Sequence, residues 1–323
     1  MKAIVQDRYG SADALELREI EKPTIGPAEV LVRVHAAGLD PGVWHLMTGQ
    51  PYLIRVMGFG LRAPKTRVRG RALAGRVEAV GASVTEFRPG DEVFGTCEGS
   101  FADYASAQAD RLASKPANLS FEQAATVPIS AQTALQALRD AGRVRPGQHV
   151  LVIGAAGGVG SFAVQLANVF GAHVTGVCST EKTDLVRSIG AEDVIDYTKV
   201  DFADGTRRFD LILDTAGNRS LSQLRRALTP DGTLVIIGGE GGGRWLGMMS
   251  RILRALVLAP FVKQKLRFLS ATERAEDLRL LRDLIEAGKV TPVIDRTFPL
   301  SQASEAIRYL ERGHARGKVV IAV

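Results

Sequence analysis

Residues 149–180, HVLVIGAAGGVGSFAVQLANVFGAHVTGVCST, restrict the fold of this chain more than any other stretch. An apolar run leads into the turn Gly154-Ala155-Ala156-Gly157-Gly158-Val159-Gly160, a helical pattern follows, and a second apolar run closes the unit. Small residues let the backbone of such a turn approach a phosphate closely. The helix behind it offers unpaired N–H groups and the positive end of its dipole. A glycine pattern alone carries little weight. Here a strand precedes it and a helix follows within one βαβ unit, which is the context that gives the pattern meaning. The plainer alternative is a tight turn that holds no ligand.

The rest of the chain fits around that unit. Residues 1–115 read as short strands and turns, with alternation around Val30, Val32 and Val34 and no long helix. At Ser120-Phe121-Glu122-Gln123 a capping pattern opens helical spacing that runs through Leu138. Strands and helices then alternate: strand 150–153, helix 158–170, strand 173–177, helix 181–189, strands at DVIDY and FDLILDTAG, helix 218–228, and a strand at GTLVIIGG. Alternation of this kind predicts a parallel sheet with helices on both faces. Residues 276–288 form an amphipathic helix ending at Gly288, and the tail returns to strand, helix, strand and rejoins the first domain. The expected class is α/β, with a β-rich domain of residues 1–121 and 289–323 and a doubly wound domain of residues 122–288.

Composition narrows the function. The net charge is +6, but the basic residues are scattered and aromatics are only 6%, so no basic, base-stacking surface for nucleic acid stands out. Two cysteines, Cys97 and Cys178, do not make a disulfide framework and suit a reducing cytoplasm. The start, MKAIVQDRYG, lacks the apolar core of a signal peptide, and no uncharged apolar run reaches the roughly 20 residues needed to span a bilayer.

At the end of the second strand of a dinucleotide-binding unit, an acidic residue would accept from a ribose 2′-OH. This chain has Cys178-Ser179-Thr180 there, with Lys182 close behind. Hydroxyls and a cation suit a 2′-phosphate, so NADPH is expected rather than NADH. The alternative for Lys182 is a solvated residue in the first turn of the next helix.

Together, GDEVFG, AATVPISAQTALQAL, GAAGGVGSFAVQLA, GAEDVIDY and the C-terminal GKVVI resemble the medium-chain dehydrogenase/reductase superfamily, in its zinc-free quinone oxidoreductase branch. The resemblance runs nearly end to end. It implies a GroES-like catalytic domain, a Rossmann domain and NADPH bound between them. Carried over by position, it implies that Ser179, Lys182 and Tyr197 contact the 2′-phosphate. Ala155, Ala156, Gly157, Gly158 and Val159 would form the phosphate turn, with Thr126 near the nicotinamide and Gly238 also at the cofactor. It also implies a homodimer.

Two departures from the branch stand out. Where zinc-dependent relatives carry their ligands, this chain has Asp40, Gly70-Arg71-Ala72 and the neighbourhood of Gln132, so no metal site is expected. In GLDPGVWHLMTGQPY, residues 38–52, Asp40 replaces the branch's Asn, His45 falls at a Tyr position and Tyr52 matches a second aromatic position. Asp40, His45 and Tyr52 are the candidate catalytic residues, with Asp40 orienting His45 or the nicotinamide ribose. Plain packing is the other reading for His45 and Trp44. The second departure is segment 244–267, with Arg244, Arg251, Arg254, Lys263, Lys265, Arg267 and no acid. It reads as a helix with solvated cations. The alternatives are a cover for a lipophilic substrate or a contact with a membrane surface. The expected activity is reduction of quinones or α,β-unsaturated carbonyls. The rivals are an NADP-dependent alcohol dehydrogenase and a nucleotide-binding sensor or membrane adaptor without turnover.

Overall fold

The computed structural model describes residues 1–238, 245, 247 and 249–323. Arg244 of the basic segment lies outside the described residues. In chain order the strands are β1 (Lys2–Val5), β2 (Glu16–Glu19), β3 (Glu29–Leu39), β4 (Ala72–Val80), β5 (Glu92–Thr96), β6 (Tyr104–Gln108), β7 (Leu112–Ser114), β8 (His149–Ile153), β9 (His173–Cys178), β10 (Asp193–Asp196), β11 (Phe209–Asp214), β12 (Leu228–Ile236), β13 (Lys265–Phe268), β14 (Ile294–Pro299) and β15 (Lys318–Ala322). The helices are α1 (Pro41–Thr48), α2 (Phe121–Ala125), α3 (Val127–Gln136), α4 (Gly158–Val169), α5 (Thr183–Ser188), α6 (Leu221–Arg226), α7 (Met249–Leu258), α8 (Ala275–Glu286) and α9 (Ala303–Glu311).

The chain forms two compact units, residues 1–132 with 273–323, and residues 133–272. In the first, one sheet runs β14-β15-β3-β4-β5-β7, with β6 also paired to β3. The tail contributes directly: β15 lies antiparallel to β3, pairing Val319 with Leu39 and Ile321 with Ala37. Val30, Val32, Val34, Leu73 and Val93 alternate inward to form one core cluster. Leu39, Val43, Met47, Phe101, Ile307 and Ile321 form another, under α1 and α9.

The second unit is a parallel sheet in the order β10-β9-β8-β11-β12-β13. Its central strand β8 is an apolar run after His149, as a sheet covered on both faces requires, whereas the edge strands β10 and β13 each carry two charged residues. Leu151, Ile153, Val177, Ile212, Leu228 and Leu234 are buried in its core.

The units divide at 132/133 and 272/273, not at the expected 121/122 and 288/289. Local contacts explain the shift. The α2 backbone packs on β3 so closely that a Cβ on Gly38 would lie 2.4 Å from the Ala125 carbonyl oxygen. At the other boundary, Asn118 Nδ2 donates to Ile285 O at 2.9 Å and the Ala117 N–H to a Glu286 carboxylate oxygen at 2.9 Å, tying α8 to the end of β7.

Helix starts follow the sequence. Ser120 and Gln123 form a reciprocal capping box on α2, and Ser220 and Gln223 do the same on α6. The first 115 residues contain a short α-helix, α1, of eight residues. The basic segment is not one helix. It becomes α7, a short 3₁₀ turn over Ala259–Phe261 and the sheet strand β13. Among the described residues, no helix is long and apolar enough to cross a membrane.

Candidate active site

The glycine turn sits at the C-terminal end of β8 and opens α4. Gly154 has φ +80° and its N–H donates to Val177 O at 3.1 Å, which ties the turn to β9. The Gly157 N–H donates to Gly154 O at 2.9 Å, closing the turn, and Gly157 is the residue before the helix. A Cβ on Gly160 would lie 2.0 Å from Gly154 O and 2.8 Å from Ala155 Cα. Only glycine lets the helix start this close under the turn. Ala155 and Ala156 are buried, while Gly158 and Val159 are half-buried at the helix mouth. No side chain caps this helix start. An anion near it is favoured by the unpaired N–H groups and the dipole.

The register pairs Asp196 of β10 with Cys178 of β9. Ser179 and Tyr197 therefore leave the sheet side by side, and the Tyr197 N–H donates to Cys178 O at 3.1 Å. Ser179 precedes the 3₁₀ turn Thr180–Lys182 but its side chain does not cap it. The structure thus brings Ser179, Lys182 and Tyr197 to one corner. Sequence reasoning missed a carboxylate at that corner, Asp196. Thr180 Oγ1 donates to its Oδ2, and the Thr198 N–H and Oγ1 donate to its Oδ1 at 3.0 and 2.6 Å. Hydrogen bonds from Thr180 and Thr198 hold Asp196 down at about 2. Burial pushes the Cys178 thiol up to about 11, so it is not a reactive thiolate. Gly238 follows β12, and its N–H donates to Asp214 O at 3.3 Å.

Asp214, at the end of β11, is fully buried. It accepts from the Gly217 N–H at 2.9 Å and forms an ion pair with Arg251 of α7. This corrects the reading of the basic segment as solvated. Arg251 is drawn inward by a buried carboxylate, and Arg267 Nη1 donates to Ala141 O at 2.6 Å. Arg254, Lys263 and Lys265 remain exposed.

In the first unit, the catalytic candidates lie on and beside α1. Asp40 is the residue before α1, yet its side chain does not cap the helix. The pairing of Val319 with Leu39 sets Lys318 opposite Asp40. Lys318 Nζ forms an ion pair with Asp40 Oδ1 and donates to Ser130 Oγ at 3.0 Å and Leu39 O at 3.1 Å. Ser130 Oγ in turn donates to Asp40 Oδ1 at 2.9 Å. All three residues are buried: Asp40 is 5% exposed, Lys318 2% and Ser130 1%. Asp40 therefore does not orient His45. Its Oδ1 is held by Lys318 and Ser130, and its buried Oδ2 has no partner.

His45 Nδ1 lies 2.8 Å from Gln50 O. A carbonyl can only accept, so Nδ1 carries the proton. Neutral His45 then presents Nε2 as an acceptor and becomes a donor there only as imidazolium. Trp44 meets the His45 ring edge-on and packs on the core, which is the packing role foreseen for it. Tyr52 lies under Arg55, whose guanidinium is 4.7 Å from the Tyr52 ring centroid and 4.3 Å from that of Tyr9. Arg55 Nε also donates to Gly49 O at 2.9 Å, fixing this corner to the end of α1. Thr126 is buried, and its hydroxyl donates to Gln123 O at 2.7 Å. Arg71 forms an ion pair with Glu273, and Gln132 accepts from the Arg274 N–H at 3.0 Å.

Known proteins resemble this chain in sequence and fold. Residues 26–117 match the family model for an alcohol dehydrogenase GroES-like domain, and residues 189–321 that for a zinc-binding dehydrogenase. The chain is 35% identical to the 2-methylene-furan-3-one reductase of Solanum lycopersicum, over 99% of this chain and 79% of that protein. It is also 35% identical to a chloroplastic NADPH-dependent alkenal/one oxidoreductase of Arabidopsis thaliana, again over 99% and 79%. The solved quinone oxidoreductase of Coxiella burnetii superposes with a TM-score of 0.88 at 30% identity, over 100% of this chain and 99% of that one. The chain belongs to the medium-chain dehydrogenase/reductase superfamily, within its quinone oxidoreductase-like branch.

Proposed function

We propose that this oxidoreductase is a zinc-independent, NADPH-dependent reductase of quinones or α,β-unsaturated carbonyls. The observation that carries the reading is the corner at the ends of β9 and β10. Ser179, Lys182 and Tyr197 meet there, and the nearby carboxylate of Asp196 is taken up by two threonines. A 2′-phosphate would meet a hydroxyl and a cation. The glycine turn and the open start of α4 would take the diphosphate. The named activities of the tomato, Arabidopsis and Coxiella relatives support the acceptor class: a furanone, an alkenal or alkenone, and a quinone.

Bound there, NADPH supplies the hydride. The protein's part is to hold the acceptor and stabilise the oxyanion that develops on it, a role in which one donor is typically worth about 10²–10³ in rate. The Tyr52 hydroxyl is such a donor in its ordinary form. His45 serves only with Nε2 protonated, because Nδ1 is committed to Gln50 O. Zinc independence is supported at two of the ligand positions: Arg71 is a guanidinium paired with Glu273, and the Asp40 carboxylate is paired with Lys318. A homodimer suits the open edge of the second sheet at β13, where Phe268 is exposed.

The test is NADPH oxidation with 1,4-quinones and short enones, run beside NADP-linked oxidation of primary and secondary alcohols. Quinones or enones should turn over faster, and Tyr52→Phe should lower kcat with NADPH affinity unchanged. Faster turnover of alcohols would replace this reading with an alcohol dehydrogenase.

A further inference from the structure

Tyr52 stands in the stretch between α1 and the helical turn Arg55–Phe59, outside both. A catalytic group works only when its position is held to within about 0.5 Å, and a turn supplies less of that hold than a helix or strand does. The ring therefore depends on what surrounds it.

Arg55 is the side chain that surrounds it. Its guanidinium carbon lies 4.7 Å from the Tyr52 ring centroid and 4.3 Å from that of Tyr9. The guanidinium is fixed independently of either ring: Nε donates to Gly49 O at 2.9 Å and Nη2 to Thr48 O at 3.2 Å. Those carbonyls belong to the last residue of α1 and the one that ends it, where a helix leaves its acceptors unpaired. The Arg55 N–H also donates to Tyr52 O at 3.2 Å, which closes the turn that carries the phenol. The backbone makes room for this cluster. A Cβ on Gly49 would lie 2.6 Å from Arg55 Nε and 2.7 Å from Tyr9 Cδ1. Tyr9 is anchored in turn, its hydroxyl donating to Gly60 O at 2.7 Å with Phe59 O at 3.0 Å. Capping α1 needs only the two donors. It does not need a guanidinium laid over two tyrosine rings.

We propose that Arg55 is the positioning residue for Tyr52: anchored to the end of α1, it fixes where the phenol hydroxyl stands against the acceptor. This role rests on the reductase function proposed above.

A double-mutant cycle in steady-state kinetics with a 1,4-quinone tests it, beside NMR of tyrosine-labelled protein in which Tyr52→Phe assigns the Tyr52 signals. A misplacement of about 1 Å can cost about 10² in rate, so Arg55→Met should lower kcat about tenfold or more, with the KM for NADPH unchanged. In the Tyr52→Phe background the same substitution should change kcat by less than about twofold, because the group it positions is gone. Arg55→Lys keeps a cation but loses the two-pronged hold, and should fall between wild type and Arg55→Met. Arg62→Met, which removes an exposed cation of the same loop, should leave kcat as it is. In Arg55→Met the Tyr52 ring signals should shift while those of Tyr104 and Tyr197 stay in place. Equal losses of kcat in the two backgrounds would mean that Arg55 acts on the acceptor or on the fold and not through Tyr52, and overturn the proposal. Unmoved Tyr52 signals overturn it as well. If Arg55→Met does not fold, Arg55→Lys and Tyr9→Leu carry the same cycle, and full additivity of both with Tyr52→Phe overturns it. A folded wild type that reduces neither quinones nor enones overturns the reductase function and this role with it, whereas additivity in an active enzyme overturns the role alone.

Discussion

Lys318 and Arg69 are both buried cations in the same unit, yet their surroundings treat them in opposite ways. The Lys318 ammonium has three protons and three acceptors: Asp40 Oδ1, Ser130 Oγ and Leu39 O. The Arg69 guanidinium has two donors sealed from water with nothing to meet them. The difference teaches how to read a buried charge. One whose bonds are all made within the fold is part of the fold. One whose bonds are missing is a cost that the rest of the fold offsets.

The largest expected effect breaks the first half of that contrast. Lys318→Met leaves the Asp40 carboxylate buried beside Ser130 alone, and removing one partner of a buried pair typically costs about 3–5 kcal/mol. Denaturant melts should register that loss, and Asp40→Leu added to Lys318→Met should recover most of it. A single Lys318→Met variant as stable as the wild type would mean that the pair contributes little and the contrast with Arg69 is empty.

A smaller effect tests the same logic in the second unit. Arg251→Gln removes the cation paired with fully buried Asp214, and a hydrogen bond to a charged group is worth about 1.5–3 kcal/mol. Arg254→Gln, on an exposed side chain of the same helix, should change thermal melting by no more than about 0.5 kcal/mol. Equal losses from the two would show that Arg251 is not held by its partner.

The smallest effect concerns an anion answered by hydroxyls. Asp196 sits at about 2, below its ordinary value of 3.8, so its contribution is present above the unfolded carboxylate range and is lost as pH falls through about 2. Thr180→Ala should move the Asp196 titration up toward the ordinary value in carbon-detected NMR, with no change near neutral pH. An unmoved titration would assign the shift to other groups.

The parts of this molecule set by neighbours in sequence were legible in the sequence, and the parts set by distant partners were not. The glycine turn, the capping boxes at Ser120 and Ser220 and the alternation of strands and helices each depend on residues within a few positions. Asp40 was singled out as a candidate catalytic residue, but the partner that holds it lies 278 positions away. Its one trace was a lysine opening the otherwise apolar strand GKVVIAV. The basic segment misled for the same reason. Composition counted Arg251 with its exposed neighbours, and only the end of β11 shows that it turns inward. Asp196 escaped notice because the search for an acid at the cofactor corner looked along β9, whereas the carboxylate arrives from the adjacent strand. Arg69 was hidden among the cations of KTRVRGR, where nothing marks which one the fold will enclose.

Gly160 shows how little room for variation one position can leave. The carbonyl that a Cβ there would strike also receives the N–H of Gly157, so the atom in the way is the atom that shapes the turn. Random mutation of the surrounding helix can be absorbed by side-chain adjustment. At this position a single methyl would have to displace backbone, so among descendants of this sequence that keep the turn, position 160 is free to drift at the level of the codon and closed at the level of the amino acid.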